Sequence, residues 1–286
     1  MSDLDLFLSL LPAIFWGSIV LLNVKIGGGA YSQTLGTTLG ALLFSFIVYI
    51  IEKPDITITI FVVGVISGIC WAIGQSGQFK SIEYIGVSKT MPISTGLQIV
   101  STTLFGVLIF REWTNATTII LGVIAIVCII TGIICTSYDQ ERSKEEAKKF
   151  KRGVVTLLVS TLGYLGYAVV ARAFGVSGWS ALFPQAIGMA LGGIIITYKH
   201  KPYNKYALLN IFPGLFWAAG NMFLFISQPK VGVAISYSLS QTGVVISTLG
   251  GIFLLKEKKT KRQLIFIGIG IILIIIGVVC LGVAKR

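Results

Sequence analysis

The chain has 286 residues, of which 55% are hydrophobic and only 12% are charged, and its mean hydropathy is +0.88. A soluble globular protein carries about 25% charged residues, so this composition excludes the soluble class and predicts a membrane protein. The net charge of +12 would suggest nucleic acid as a partner of a soluble protein. In a membrane protein it indicates Lys and Arg gathered at one membrane surface, and we expect no nucleic-acid partner.

Ten stretches without any charged residue are long enough to cross a bilayer, because about 20 helical residues span a hydrocarbon core of about 30 Å. The stretches cover residues 6–24, 31–51, 56–79, 90–110, 114–136, 153–171, 173–198, 206–229, 231–255 and 263–284. Their hydrophobic character is continuous rather than alternating, which favours helices over the strands of a barrel. The sequence therefore predicts an all-α polytopic membrane protein with ten transmembrane helices.

Lys and Arg are distributed unequally between the two sides of this bundle. The connections after the first, third, fifth, seventh and ninth spans hold 17 of the 23 basic residues. Basic loops stay in the cytoplasm, so the bias predicts a multi-pass plasma-membrane protein with both termini outside.

The chain contains an internal repeat. A shift of 146 residues aligns GICWAIGQ (68–75) with GLFWAAGN (214–221) and brings Gly86 onto Gly232. With a one-residue slip Glu112 falls opposite Glu257. An ordered series of matches over three spans indicates a duplication, with one repeat at 1–137, a charged linker at 138–152 and a second repeat at 153–286.

Each repeat has five spans, so the second must enter the membrane from the side opposite to the first. The repeats are therefore predicted to be inverted. Inverted repeats are typical of alternating-access transporters, which bind substrate near the midplane where the halves meet. Pro92 lies inside the fourth span, and a proline can break a helix. Residues 90–96 are thus a candidate for a discontinuity there, with a simple kink as the alternative.

Amide, hydroxyl and aromatic side chains inside the spans are the candidates for substrate binding. They suit a neutral polyol, because its hydroxyls donate and accept hydrogen bonds as amides do and its C–H faces lie against aromatic rings. The candidates are Trp16, Asn23, Trp71, Gln75, Gln78, Thr90, Ser94, Gln98, Trp217, Asn221, Tyr237 and Gln241, with Tyr164, Tyr167 and Gln185 in a second tier. The alternative for each is a structural role, because such groups also bond across helix interfaces.

These features resemble the glucose/ribose porter family of the ten-span drug/metabolite transporter superfamily. The resemblance rests on LPAIFWGSIVLLNVKIGG in the first span, GICWAIGQSGQFKSIEYIGVSKTMPISTGLQ across the third and fourth, and FWAAGNMFLFISQPKVGVAISYSLSQTGV across the eighth and ninth. It implies inward transport of a neutral monosaccharide, first of all glucose, coupled to protons. Better-known superfamily members keep both termini in the cytoplasm, opposite to the orientation that the charge bias predicts.

Proton coupling has few candidates, because every Asp and Glu lies outside the ten spans. Glu83, with Lys89 nearby, is the nearest; its alternative role is an ion pair with Lys80 or Lys89. We expect no cofactor, metal or enzymatic activity, since no nucleophile with its base and no ligand cluster is present. The alternatives to sugar uptake are export of a small neutral metabolite and a passive channel or scaffold. The sequence leaves the oligomeric state open.

Overall fold

The structure is a computed structural model and describes residues 3–111, 113–138 and 143–284. Within these ranges the chain is helical and has no strand. Glu112, one of the two glutamates that the repeat aligns, lies outside the described residues, as do residues 139–142 of the charged linker.

Twelve α-helices follow one another along the described chain. They are α1 (Asp3–Ile26), α2 (Gly29–Glu52), α3 (Ile58–Ile85), α4 (Val87–Leu108), α5 (Ala116–Thr136), α6 (Lys144–Ala173), α7 (Trp179–Thr197), α8 (Lys205–Leu209), α9 (Ile211–Val231), α10 (Val233–Gln241), α11 (Gly243–Phe253) and α12 (Lys261–Ala284). A short 3-10 turn (Tyr198–His200) follows α7. The charged segment is helical from Lys144 onward and continuous with the sixth span.

Nine helical segments of the described chain are long and apolar enough to cross a membrane. The predicted ninth span is the exception, because it consists of two shorter helices, α10 and α11. At the junction the Thr242 hydroxyl donates to the Leu239 carbonyl at 2.6 Å, and the Thr242 N–H donates to the same carbonyl. These bonds reach three residues back instead of four, which tightens and interrupts the helix.

The discontinuity predicted in the fourth span is absent, because α4 runs unbroken from Val87 to Leu108 through Pro92. Pro92 lies in the second turn of this helix, where the missing N–H removes only the bond to the carbonyl four residues earlier. The break lies instead at the equivalent level of the ninth span, which contains no proline.

The third span of each half packs against helices of the other half. The third span, α3, packs against α6 and α7, and its counterpart α9 packs against α1 and α2. Glycines allow this approach: a Cβ on Gly68 would overlap the carbonyl oxygen of Gln185, and one on Gly188 would overlap that of Val65. Small residues let helix backbones touch in a membrane, so α3 of the first half packs directly on α7 of the second.

The two ends of the bundle differ. At the end that carries the first connection, here called the opposite end, the Asn210 amide donates to the Gly27 carbonyl at 3.1 Å, and the Tyr31 ring stacks on His200. At the other end, called the terminal end because the chain termini lie there, Asp5 pairs with Lys230 at 3.5 Å. Contacts between connections therefore close the opposite end.

Gly68→Ala is expected to destabilise the fold, because the added methyl group overlaps the backbone of α7. Overpacking of this kind costs about 1–3 kcal/mol, so the unfolding temperature in detergent should fall. Gly268→Ala is the matched control, since a Cβ there has nothing within 4 Å. Equal unfolding temperatures for the two variants would contradict the close α3–α7 contact.

Candidate functional site

A cavity of about 350 Å³ lies between the two halves. Small-molecule sites in proteins have volumes of about 300–1,000 Å³. The lining begins at mid-depth with Trp16, Trp71 and Trp217, and it extends to Ser177 and Gly178 in the connection between α6 and α7. The cavity therefore reaches the terminal end. None of the described residues that line it is charged.

Three aromatic rings meet at the inner end of the cavity. Trp71 and Trp217 have ring centroids 5.7 Å apart at an interplanar angle of 64°, and the Tyr164 ring lies edge-on to Trp71 at 6.3 Å. The Trp16 indole N–H donates to the Trp217 carbonyl at 3.2 Å, which joins α1 to α9. Such edge-to-face groups are stable and leave ring faces for apolar contact.

A chain of hydrogen bonds runs along the first-half wall of the cavity. The Tyr164 hydroxyl donates to Gln75 Oε1 at 2.8 Å, and Gln75 Nε2 donates to Gln78 Oε1 at 3.2 Å. Gln78 Nε2 then donates to Ser94 Oγ at 2.8 Å, and Gln98 Nε2 donates to the same oxygen at 3.0 Å. Because these groups lie on α3, α4 and α6, the chain ties three helices together.

The second-half wall has different polar contacts. Asn221 Nδ2 donates to the Trp217 carbonyl of its own helix at 2.8 Å, and Gln185 Nε2 donates to Ser67 Oγ at 3.2 Å. Gln241 Nε2 lies 3.4 Å from Ser240 Oγ. In these three amides the hydrogen bonds to the protein are made by the nitrogen.

Nine of the first-tier candidates line the cavity. They are Trp16, Trp71, Gln75, Gln78, Gln98, Trp217, Asn221, Tyr237 and Gln241, and the second-tier Tyr164, Tyr167 and Gln185 line it with them. The helical spacing of Trp71 and Gln75 puts both on one face, as predicted.

Asn23, Thr90 and Ser94 do not line the cavity, and each bonds within the helix bundle. Asn23 donates to the Ile19 carbonyl at 2.8 Å and accepts from the Thr37 hydroxyl at 3.1 Å. Thr90 shares a hydrogen bond with Ser81, and Ser94 lies behind the two glutamines that donate to it. The contacts of Asn23 and Thr90 are of the kind that the structural alternative predicts, and Ser94 supports the wall from behind.

The predicted internal repeat also relates lining residues that the first tier omitted. Thr95 lies 146 positions before Gln241, and Met91 lies 146 positions before Tyr237. Extending the alignment from each candidate to the position 146 residues away would have found both.

Glu83 and Lys89 lie at the opposite end and outside the cavity lining. Glu83 Oε2 is 2.6 Å from Lys80 Nζ, and Glu83 Oε1 accepts from the Ala30 N–H at the start of α2 at 2.8 Å. The ion pair with Lys80 is thus present. Glu257 plays a similar part at α4, where it accepts from the Val87 N–H at 2.5 Å and from the Ser88 hydroxyl.

A carboxylate at the first turn of a helix accepts hydrogen bonds from N–H groups that have no partner within the helix. Its negative charge also interacts favourably with the positive end of the helix dipole. Glu83 and Glu257 therefore fasten the starts of α2 and α4 to neighbouring connections at the opposite end.

A family model described as "Sugar transport protein" matches residues 7–284. The chain belongs to this family. Membership makes it a sugar transporter rather than an enzyme, and the apolar helices make it a multi-pass protein of the plasma membrane.

Curated relatives of this family member match along nearly its whole length. "Probable glucose uptake protein GlcU" of Priestia megaterium is 68% identical over 285 residues, with 99% of this chain and 100% of the relative covered. "Glucose uptake protein GlcU" of Bacillus subtilis (strain 168) is 65% identical over 284 residues, covering 99% of each. One solved crystal structure covers 98% of this chain and 96% of its own, with a TM-score of 0.62 and 13% identity, a likeness that shows the fold alone.

Proposed function

We propose that this sugar transporter takes up a neutral monosaccharide, in the first place glucose, and binds it in the cavity. The observation that carries this proposal is the lining itself, which combines indole and phenol rings with six amides and has no charged side chain among its described residues. The amides are Gln75, Gln78, Gln98, Gln185, Asn221 and Gln241. Amides bond hydroxyls, and aromatic rings cover C–H faces. The glucose uptake proteins at 68% and 65% identity support this substrate.

The absence of charge in the described lining also bears on other substrates. A phosphorylated sugar would need Lys or Arg against its phosphate, and a cationic compound would need a carboxylate. Sugar uptake is therefore favoured over both, and export of a neutral metabolite has no observation of its own in its favour.

We propose that the two halves are inverted repeats and that transport proceeds by alternating access. Paired details support the repeat. Gly86 and Gly232 both precede a helix with positive φ, at +77° and +88°. The hydrogen bond between Ser81 and Thr90 has its counterpart 146 positions later, between Ser227 and Ser236. In this account the structure is the conformation in which the cavity opens at the terminal end. The distribution of Lys and Arg predicts that this end faces the outside of the cell.

Alanine substitutions at the paired positions test the site. Trp71→Ala and Trp217→Ala remove the rings at the inner end of the cavity and are expected to abolish uptake of labelled glucose. Gln75→Ala and Asn221→Ala each remove one hydrogen-bonding group, worth about 1 kcal/mol, and should lower uptake at subsaturating glucose about fivefold to tenfold.

Gln33→Ala is the matched control for the amides. Gln33 is buried and donates to the Asn23 carbonyl, outside the cavity. It should leave the apparent affinity for glucose unchanged. With membrane levels checked by immunoblot, wild-type uptake in all four site variants would refute the site.

We propose further that uptake is proton symport and that Glu83, beside Lys80, carries the coupling proton at the opposite end. The cavity offers no carboxylate or histidine among its described lining residues, so a proton must be held elsewhere. Protonation of Glu83 would weaken its ion pair and its hold on the start of α2. Release of that contact would loosen the closed end. Lys89, in the first turn of α4, is a second candidate.

Uptake by proteoliposomes with and without an inward proton gradient tests the coupling. The gradient should stimulate glucose uptake by the wild type, and Glu83→Gln should abolish the stimulation while retaining gradient-free uptake, because glutamine keeps the oxygen that accepts from Ala30. Glu52→Gln, at the exposed end of α2, is the control. Saturable wild-type uptake that ignores the gradient would mean facilitated diffusion, and stimulation that survives Glu83→Gln would exclude Glu83.

A further inference from the structure

The amides that line the cavity differ in which of their atoms the protein engages. On the first-half wall the oxygens of Gln75 and Gln78 are occupied: Gln75 Oε1 accepts from Tyr164 at 2.8 Å, and Gln78 Oε1 accepts from Gln75 at 3.2 Å and from Tyr164 at 3.3 Å. An amide nitrogen has two N–H groups. Each of the two glutamines donates one N–H to a protein oxygen, and its second N–H remains for a ligand in the cavity.

On the second-half wall, and at Gln98 of the first half, the nitrogens are engaged instead. Asn221, Gln185 and Gln241 direct an N–H to a protein oxygen. Among the described residues, a fully buried side-chain oxygen without a hydrogen-bond partner occurs only in Ser45, Asn210 and Thr248. The carbonyl oxygens of these three amides are not among them. These amide oxygens are therefore open to the cavity as acceptors.

Tyr164 is the residue that fixes this arrangement. A phenol hydroxyl has one proton, and here it is directed to the two glutamine oxygens. Without it, rotating the Gln75 amide would present either its oxygen or its nitrogen to the cavity at similar cost. The buried Tyr164 ring is held in place by Gly74, where a Cβ would lie 2.7 Å from the ring.

We propose that Tyr164 is a positioning residue that orients Gln75 and Gln78 as donors, so that the cavity selects hydroxyl groups able to accept from these two amides while donating to the amide oxygens of the second-half wall. The inference rests on the proposed sugar-binding function. Its chemical consequence is a preference for polyols over ethers, ketones and fluorinated analogues. An ether or carbonyl oxygen can accept but cannot donate, and each would leave the carbonyl oxygens of the second-half wall without a partner.

Tyr164→Phe removes the hydroxyl and keeps the ring. We expect the KM for glucose to rise about tenfold while Vmax changes less than twofold, because the glutamines remain but lose their fixed orientation. In a Gln75→Ala background the same substitution should raise KM less than threefold, since the nearer of the two amides through which Tyr164 acts is then gone. Equal effects in both backgrounds would overturn the proposal.

Ser160→Ala is the matched control. Ser160 lies one turn before Tyr164 on α6 and donates to the Gly74 carbonyl of α3, so it joins the same helices outside the cavity. Its KM should equal that of the wild type. A Tyr164→Phe variant that loses Vmax at unchanged KM, as a packing defect would, also overturns the proposal.

Competition by deoxyfluoroglucoses, which replace one hydroxyl at a time with a fluorine that cannot donate, tests the selection itself. At least one analogue should compete more than tenfold more weakly than glucose against the wild type. Equal competition by every analogue would overturn the inference while leaving glucose transport intact. Glucose binding by the wild type can be measured through the quenching of tryptophan fluorescence. If no binding is seen, the proposed function is overturned and this inference with it.

Discussion

Backbone contact between helices of different halves is the constraint on which the site depends. At Gly68 and Gly188 the chain has no room for a Cβ, so α3 and α7 touch along their main chains. Gly214 lies in the same way against Thr37 of α2. These contacts fix α3 against α7 and α9 against α2, and the Trp71 and Trp217 side chains of α3 and α9 meet with ring centroids 5.7 Å apart. The cavity is the space that remains beside this junction, where the facing side chains are polar instead of small.

Burying the polar groups of the cavity costs free energy unless they form hydrogen bonds. A lipid environment supplies no water, so an amide inside a bundle must bond the protein, a ligand or cavity water. The glutamines of the first half meet this need through Tyr164 of the second half and Ser94, in a chain of hydrogen bonds across three helices. The second half meets it locally, as Asn221 does with its own helix. The former arrangement is rigid, and the latter leaves oxygens for a substrate.

Sequence patterns were sufficient for the spans and for much of the lining, because charge-free length and four-residue spacing are properties of a single helix. Trp71 and Gln75 follow from that spacing alone. Asn23 could not be assigned in this way, since its side chain bonds Thr37, and which helix lies beside α1 is a tertiary fact. The break at Thr242 was equally hidden: Pro92 is accommodated within α4, whereas a threonine hydroxyl interrupts the ninth span.

The most direct test of a carrier with one site and two alternating openings is the accessibility of single cysteines, with Cys70, Cys128, Cys135 and Cys280 replaced by serine. Ser177 lines the cavity at the terminal end, and Thr90 is buried between α3 and α4 towards the opposite end. Ser177→Cys should react with an impermeant thiol reagent outside intact cells, Thr90→Cys only with reagent on the cytoplasmic side, and glucose should change the two rates in opposite directions. Reaction of both positions from the same side, or rates indifferent to glucose, would contradict the account.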